Sequence, residues 1–201
     1  MSDTKEQILL AALRLFARDG YEAVSVSQIA EALGMTKGAL YKHYKNKQDI
    51  FDSIVARMEQ LDAIHARQYQ LPEGTIEEME EAYRHASLQQ ILAFSRAQFH
   101  YWTEEAFPSC FRKLLTLEQY RNEAMHALYQ QYLAAGPLGY MTDLFRSLRI
   151  PDADQMALAF YGPMHLLYSC YDGAEEKQAV FVLLEEHLDR MYKTLKVGEE
   201  R

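Results

Sequence analysis

The sequence has few cysteines, few turn-forming residues and no long hydrophobic run. Its 201 residues include two cysteines, Cys110 and Cys170, and no Cys-x-x-Cys pair that would indicate a zinc site or a redox centre. We expect both to be small buried side chains in a reducing compartment. Nine glycines and five prolines are too few for a collagen-like or loop-rich chain. The longest strongly apolar run, residues 179–184, is far too short to span a bilayer.

The basic excess that is typical of nucleic-acid-binding proteins is also missing. The net charge is −8 and the isoelectric point is about 5.4. However, residues 1–60 contain eight basic and eight acidic side chains and have no net charge, whereas residues 61–201 account for the whole net charge of −8. The segment 36–47 has four lysines and no acid. The electrostatic field that a bound nucleic acid experiences is local, because salt screens charges beyond about 10 Å. This basic segment is therefore a better indicator of nucleic-acid binding than the net charge of the whole chain.

The pattern of apolar residues and helix caps predicts an all-α protein. Capping boxes at residues 4–7 and 25–28 indicate helix starts, and Gly20 and Gly34 stand where helices end. Residues 4–45 therefore predict three short helices, with Gly34-Met35-Thr36 as the tight turn of a helix-turn-helix. Further breaks are predicted at residues 71–74, 136–139, 150–152 and 172–173.

The third predicted helix, residues 37–44, has the side chains that a DNA major groove accepts. At 100° per residue Leu40 and Lys42 point in nearly opposite directions, which makes Leu40 the anchor to the first two helices. The outward arc contains two small and several basic or aromatic residues: Lys37, Gly38, Ala39, Tyr41, Lys42 and His43. Small residues let the backbone approach base edges, and a lysine can donate to guanine. The hydroxyls of Tyr41 and Tyr44 and the charge of Lys47 suit the flanking phosphates.

Residues 25–49 strongly resemble the DNA-binding domain of TetR-type transcriptional regulators. The matching pieces lie in the first quarter of the chain: Phe16-Ala17, Gly20-Tyr21, Ile29-Ala30, Gly34, Gly38, Leu40-Tyr41, His43-Tyr44 and Lys47. The resemblance implies that Lys37, Ala39, Lys42 and His43 face bases, with Gly38 at the closest approach. It also implies phosphate contacts by Ser25, Ser27, Thr36, Tyr41, Tyr44 and Lys47.

The remaining residues are expected to sense a ligand and to form a homodimer. We place a DNA-binding domain at residues 1–47 and a helical effector-binding and dimerisation domain at residues 48–201. The resemblance implies a dimer interface built from two C-terminal helices, here residues 153–171 and 174–196. Gly162-Pro163 is expected to interrupt and kink the first. The second of these helices has an apolar stripe from Val180 to Leu195, which either a partner chain or the domain core must bury.

The stretch from Phe99 to His165 is rich in aromatic residues and methionine. A hydrophobic core accounts for most such positions, whereas an apolar effector cavity with a few polar groups is the functional interpretation. The candidates for that cavity are Phe99, Trp102, Phe107, Phe111, Tyr129, Tyr161 and His165. The aromatic content and the acidity favour an aromatic or cationic small molecule.

Together these patterns predict a ligand-responsive dimeric repressor that binds double-stranded DNA. Residues 1–7 lack the layout of a signal peptide, so we expect a soluble cytoplasmic protein with no membrane partner, no cofactor and no enzyme activity. Two alternatives stay open. A helical adaptor could retain a helix-turn-helix only as a fold element. A helical metal enzyme could use Glu123-x-x-His126, but the second such pair that di-iron bundles need is missing from the sequence.

Overall fold

The computed structural model describes residues 4–68 and 87–199, most of which are helical. Within them it contains ten α-helices and no strand, as the sequence predicted. None of these helices is both long and apolar enough to cross a membrane. The predicted break at residues 71–74 lies outside the described ranges.

The first three helices follow the predicted order, and a long fourth helix comes after them. They are α1 (Thr4–Asp19), α2 (Val26–Ala32), α3 (Lys37–Leu40) and α4 (Lys47–Gln68). Gly20 and Gly34 terminate α1 and α2 with φ angles of 89° and 64°, a conformation that glycine adopts without steric cost. The third helix is shorter than expected, because residues 41–43 continue it only as turns.

Six helices follow in the rest of the chain. They are α5 (Leu88–Glu104), α6 (Ala106–Glu118), α7 (Glu123–Leu133), α8 (Ala135–Ser147), α9 (Ala153–Gly173) and α10 (Lys177–Glu199). The predicted breaks at 150–152 and 172–173 fall between helices or at a helix end, whereas residues 136–139 lie in the first turns of α8. Pro163 lies inside α9, which continues through it, so the expected interruption at Gly162-Pro163 is wrong.

Two compact units divide the chain. The head unit comprises Met1–Gln68 and Glu105–Tyr129, and the second unit comprises Tyr69–Glu104 and Gln130–Arg201. Helix α6 belongs to the head unit, where it packs along α1. The domain boundary expected between residues 47 and 48 stays a prediction.

The core of the head unit forms because the apolar faces of α1, α4 and α6 meet. Ile8, Leu13 and Phe16 on α1 are fully buried, as are Phe111 and Leu114 on α6. Burial of side chains of this size stabilises a fold by about 1.5–3 kcal/mol each. Helix α2 packs on α1 and α3 packs on α2, so the helix-turn-helix is attached to this core.

The second unit has its own aromatic core. Phe99 of α5 is fully buried and stacks on Tyr168 of α9, with ring centroids 5.2 Å apart. The stripe on α10 is buried within the chain itself: Val180, Leu184, Leu188, Met191 and Leu195. The domain core, rather than a partner chain, therefore covers this stripe.

The cysteines differ from expectation. Cys110 is half-buried, and burial raises the pKa of its thiol. Cys170 is exposed, so the expectation of two buried cysteines is wrong there. The reason is that Cys170 lies on the outward face of α9, which sequence periodicity alone did not assign.

Candidate DNA-binding surface

The start of α2 is fixed by a reciprocal cap. Ser25 precedes the helix in an extended conformation, and its Oγ accepts a hydrogen bond from the Gln28 amide at 3.3 Å. The Gln28 side chain in turn accepts from the Ser25 amide at 2.7 Å. This is the predicted capping box. Since both side chains satisfy amides at the first turn, the direction in which α2 leaves the loop is defined locally.

The turn between α2 and α3 is closed by backbone hydrogen bonds. The Gly34 amide donates to Glu31 O at 2.9 Å and the Met35 amide donates to Ala30 O at 3.0 Å. Thr36 then caps α3, because its Oγ1 accepts from the Ala39 amide at 3.1 Å. A helix of only four residues has little stability of its own, so this cap and the buried anchor maintain it.

Leu40 is that anchor. Its side chain is completely buried, as predicted from its position opposite Lys42. The expected base-facing residues lie on the other side: Lys37, Gly38 and Lys42 are exposed, and Ala39 and His43 are half-buried. The structure therefore presents these five residues on an accessible surface, and their contacts with bases stay a prediction.

Gly38 has no internal packing reason to be glycine. A Cβ added there would find only Thr36 Oγ1, at 4.0 Å, and the helix there has an ordinary conformation. Alanine would also be the better helix former. The missing side chain leaves the backbone open on the outer face of α3, which suits the close approach of another molecule.

The predicted phosphate contacts fall into two groups. Ser25, Ser27, Thr36 and Tyr41 are exposed, although Ser25 and Thr36 also cap helices. Tyr44 is only 5% exposed, and its hydroxyl donates to Lys5 O at 3.4 Å. Tyr44 therefore packs in the core, which its position in the sequence did not indicate. Its contact with a phosphate stays a prediction.

Lys47 is tied to the loop that precedes α2. Its ammonium donates to Tyr21 O at 2.9 Å and to Glu22 O at 3.4 Å. It also lies 4.3 Å from the centroid of the Tyr21 ring and 3.6 Å from the Glu22 carboxylate. Its side chain is 23% exposed. Lys47 therefore joins the start of α4 to the residues that follow α1. Its phosphate contact stays a prediction, and such a contact would be made in addition to these bonds.

Sequence reasoning missed two residues that organise the base of this surface. Tyr21 donates its hydroxyl to Gln48 Oε1 at 3.0 Å, and burial raises the pKa of its phenol. Its amide donates to Glu118 Oε1 of α6 at 3.0 Å. Gly20-Tyr21 belonged to the family resemblance, but no local pattern pointed to Glu118, which lies 97 positions further along the chain.

The seven candidate effector residues are divided between the two units. Phe107 and Phe111 are buried in the head unit, and Tyr129 is half-buried there. The other four belong to the second unit: Phe99, Trp102, Tyr161 and His165. Of these, the two rings on α5 are buried and the two on α9 are half-buried.

Tyr161 and His165 are neighbours on α9. Their ring centroids are 5.9 Å apart, and the Tyr161 hydroxyl donates to Leu133 O at 2.8 Å. The effector-binding role of all seven candidates stays a prediction.

The described residues give no support to a metal centre. Glu123 and His126 are both exposed on α7. Within residues 4–68 and 87–199, no group of three or more His, Cys, Asp or Glu side chains could hold a metal ion.

Comparison with known proteins identifies the N-terminal segment. Residues 8–54 match the family model described as bacterial regulatory proteins, tetR family. The transcriptional regulator AcrR of Shigella flexneri is 46% identical over 52 residues, 26% of this chain and 24% of AcrR. The transcriptional repressor BepR of Brucella suis is 43% identical over 56 residues, 28% of this chain and 27% of BepR. The chain thus matches about a quarter of the length of these curated relatives.

Solved structures resemble the chain over most of its length. The fatty acid degradation regulator FadR from Bacillus halodurans has a TM-score of 0.61 at 16% identity, with 95% of each chain covered. SmeT, the repressor of a Stenotrophomonas maltophilia multidrug efflux pump, has a TM-score of 0.55 at 20% identity, with 94% of this chain and 90% of SmeT covered. At these identities the likeness establishes the fold: a helix-turn-helix head joined to a larger helical domain.

Proposed function

We propose that this chain, a TetR-type regulator by its N-terminal domain, is a dimeric repressor that binds an operator and leaves it when a small molecule binds. The relatives that match its head are transcriptional regulators, among them repressors. The proposed activity requires no catalytic residue. Since the proposed target is operator DNA, the proposal places the protein in the cytoplasm.

The observation that carries the proposal is the outer face of α3. Lys37 and Lys42 are exposed on either side of a glycine that no internal contact requires. Residues 36–47 contain four lysines and no acid. A short helix that offers donors and an open backbone fits a major groove, where lysine can donate to guanine O6 and N7.

Dimer formation is supported by exposed apolar side chains on α9 and α10. Leu158 and Leu166 on α9 are 52% and 63% exposed, and Val182 and Leu183 on α10 are 48% and 51% exposed. A second copy of the chain could cover exposed apolar side chains of this kind in a two-fold interface. Two heads related by a two-fold axis would bind half-sites whose spacing follows the DNA helical repeat.

Release by an effector is supported by two of the structural neighbours. One is a complex of SmeT with triclosan, and another is a gamma-butyrolactone receptor. We propose that this chain likewise binds a small aromatic or cationic molecule, in a largely apolar site of the second unit with Phe99, Trp102, Tyr161 and His165 as candidate contacts. Such a ligand shifts the protein away from DNA only if it binds the two conformations with different affinity.

The test is selection of binding sites from a randomised duplex pool, followed by a salt titration of the selected sequences. We expect a roughly palindromic site and a steep salt dependence, because neutralised phosphates release counterions. Binding without sequence preference would contradict the proposal and favour the adaptor alternative.

Two lysine variants separate base reading from phosphate contact. Lys42→Ala should relax the preference at particular base positions, whereas Lys47→Ala should weaken binding to all sequences about equally and reduce the salt slope. Because Lys47 also bonds to Tyr21 O, thermal unfolding must accompany the titration of that variant. An even loss of affinity on every sequence for both variants would contradict the assignment of Lys42 to bases.

A further inference from the structure

A buried carboxylate of α6 holds the end of α1. Glu118 is the last residue of α6 and is 2% exposed. Its Oε1 accepts a hydrogen bond from the Tyr21 amide at 3.0 Å. A Cβ added to Gly20 would lie 2.7 Å from the same oxygen, and Gly20 has a φ of 89°. The backbone at residues 20–21 is therefore shaped around this carboxylate.

The negative charge of Glu118 gains little from its surroundings beyond the hydrogen bond that it accepts from the Tyr21 amide. Removing a carboxylate from water is costly unless it is paired and hydrogen-bonded. The C-terminus of α1 adds an unfavourable negative field. The neighbouring Arg121 Nη1 is 4.0 Å away on a side chain that is 66% exposed, a geometry that gives little compensation.

The residue that Glu118 holds is the meeting point of three elements. The Tyr21 carbonyl accepts from Lys47 Nζ at 2.9 Å, and its hydroxyl donates to Gln48 at 3.0 Å. Its ring packs edge-on against Phe16 and Phe51, with centroids 5.1 and 5.4 Å away. Residues 20–25, the connection that sets where α2 begins, therefore start from a point fixed by α1, α4 and α6.

Chain topology gives α6 a particular position. It lies in the head unit, whereas the stretch directly before it, Tyr69–Glu104, and the chain after Tyr129 belong to the second unit. Through Glu118, the segment 105–129 makes a hydrogen bond with residues 20–25, the connection that leads into α2.

We propose that Glu118 is a positioning residue for DNA binding: its hydrogen bond to the Tyr21 amide keeps the helix-turn-helix in the setting that matches the operator. The inference rests on the proposed function. On this proposal, operator affinity depends on an acceptor oxygen at the position of Glu118 Oε1, and it does not depend on the negative charge of the side chain. Loss of the contact removes one of the bonds that hold Tyr21, so residues 20–21 move more and DNA has to select the competent setting from a wider ensemble.

The test compares three substitutions in the full-length chain on the operator selected by the wild-type protein. Glu118→Gln keeps an acceptor at the same reach and should retain operator affinity within about threefold. Glu118→Asp keeps the charge but is one methylene shorter, and it should weaken binding by about tenfold, the factor that corresponds to ~1.4 kcal/mol. Glu118→Ala should bind at least as weakly as the aspartate variant. Exposed Glu59 on α4, changed to Gln and to Ala, controls for the general effect of removing a negative charge near DNA.

Thermal unfolding of each variant separates positioning from folding. A residue with a purely structural role would lower the unfolding temperature but leave the operator affinity of the folded protein unchanged, and that result would overturn the inference. Equal affinity of the aspartate and glutamine variants would also overturn it, as would a loss in the glutamine variant as large as that in the alanine variant. If the wild-type chain selects no operator, the proposed function fails and this inference fails with it.

Discussion

Gly136 lies where the first turn of α8 approaches the preceding helix. A Cβ at this position would be 1.9 Å from Gln131 O, a backbone atom of α7. The nearest ordinary contact of a Cβ is about 3.4 Å, so alanine would force the two segments apart by about 1.5 Å. Because the obstacle is backbone, rotation of a side chain cannot relieve the overlap.

We therefore expect Gly136→Ala to destabilise the protein. Overpacking of this kind costs about 1–3 kcal/mol, and ~2 kcal/mol lowers the unfolding temperature of a chain of this size by roughly 4–8 °C. Gly139 in the same helix is the matched control, since nothing lies within 4 Å of an added Cβ there. Gly139→Ala should instead stabilise by about 0.5–1 kcal/mol, because alanine loses less conformational entropy in a helix than glycine.

Thermal and denaturant unfolding of the two variants and the wild type measure both effects. The opposite signs are the essential result, because the same chemical change is made three residues apart. An unchanged unfolding temperature for Gly136→Ala would refute the reasoning about the α7–α8 connection. A decrease for Gly139→Ala would refute the assignment of free space around that residue.

Three further predictions follow from the local geometry. Thr36→Ala removes the cap of α3, worth about 1 kcal/mol, and should weaken operator binding in a mobility-shift assay, whereas Thr36→Ser should retain it. Burial raises the pKa of Asp62, so the folded protein binds the proton of this carboxyl more tightly than the unfolded chain does. The ionised carboxylate therefore lowers the free energy of unfolding as the pH rises above the pKa of Asp62 in the unfolded chain. Asp62→Asn should increase the free energy of unfolding at neutral pH, and this gain should disappear in acid. Leu166→Glu places a charge on the most exposed leucine of α9 and should dissociate the proposed dimer in sedimentation equilibrium, whereas Gln178→Glu, an exposed polar position of α10, should not.

The helices of the head were predictable because their signals are local. Ser25 and Gln28 cap α2 within one turn, and Gly34 ends it with the positive φ that the sequence position suggested. The assignment of Leu40 to the core followed from its angle to Lys42 and is confirmed by its complete burial. These features depend on residues no more than four positions apart, so their spacing in the sequence carries the information.

The candidate site was predictable only in part. The exposed positions on α3 follow from helical periodicity, and the family resemblance covers the same segment. By contrast, Tyr44 turned out to be buried and Lys47 to be bonded to Tyr21 O and Glu22 O. Spacing along α3 and α4 does not show which of their residues meet the end of α1.

The sequence by itself determined the all-α class, the helix-turn-helix and the lysine-rich, acid-free segment that favours DNA. Tertiary structure alone decided that α10 buries its apolar stripe within its own chain and that Glu118 of α6 meets Tyr21. The physical reason is the range of the interactions. Caps, turns and helical periodicity form between neighbours in the chain, whereas a contact across 97 positions exists only after helices from distant segments have packed together.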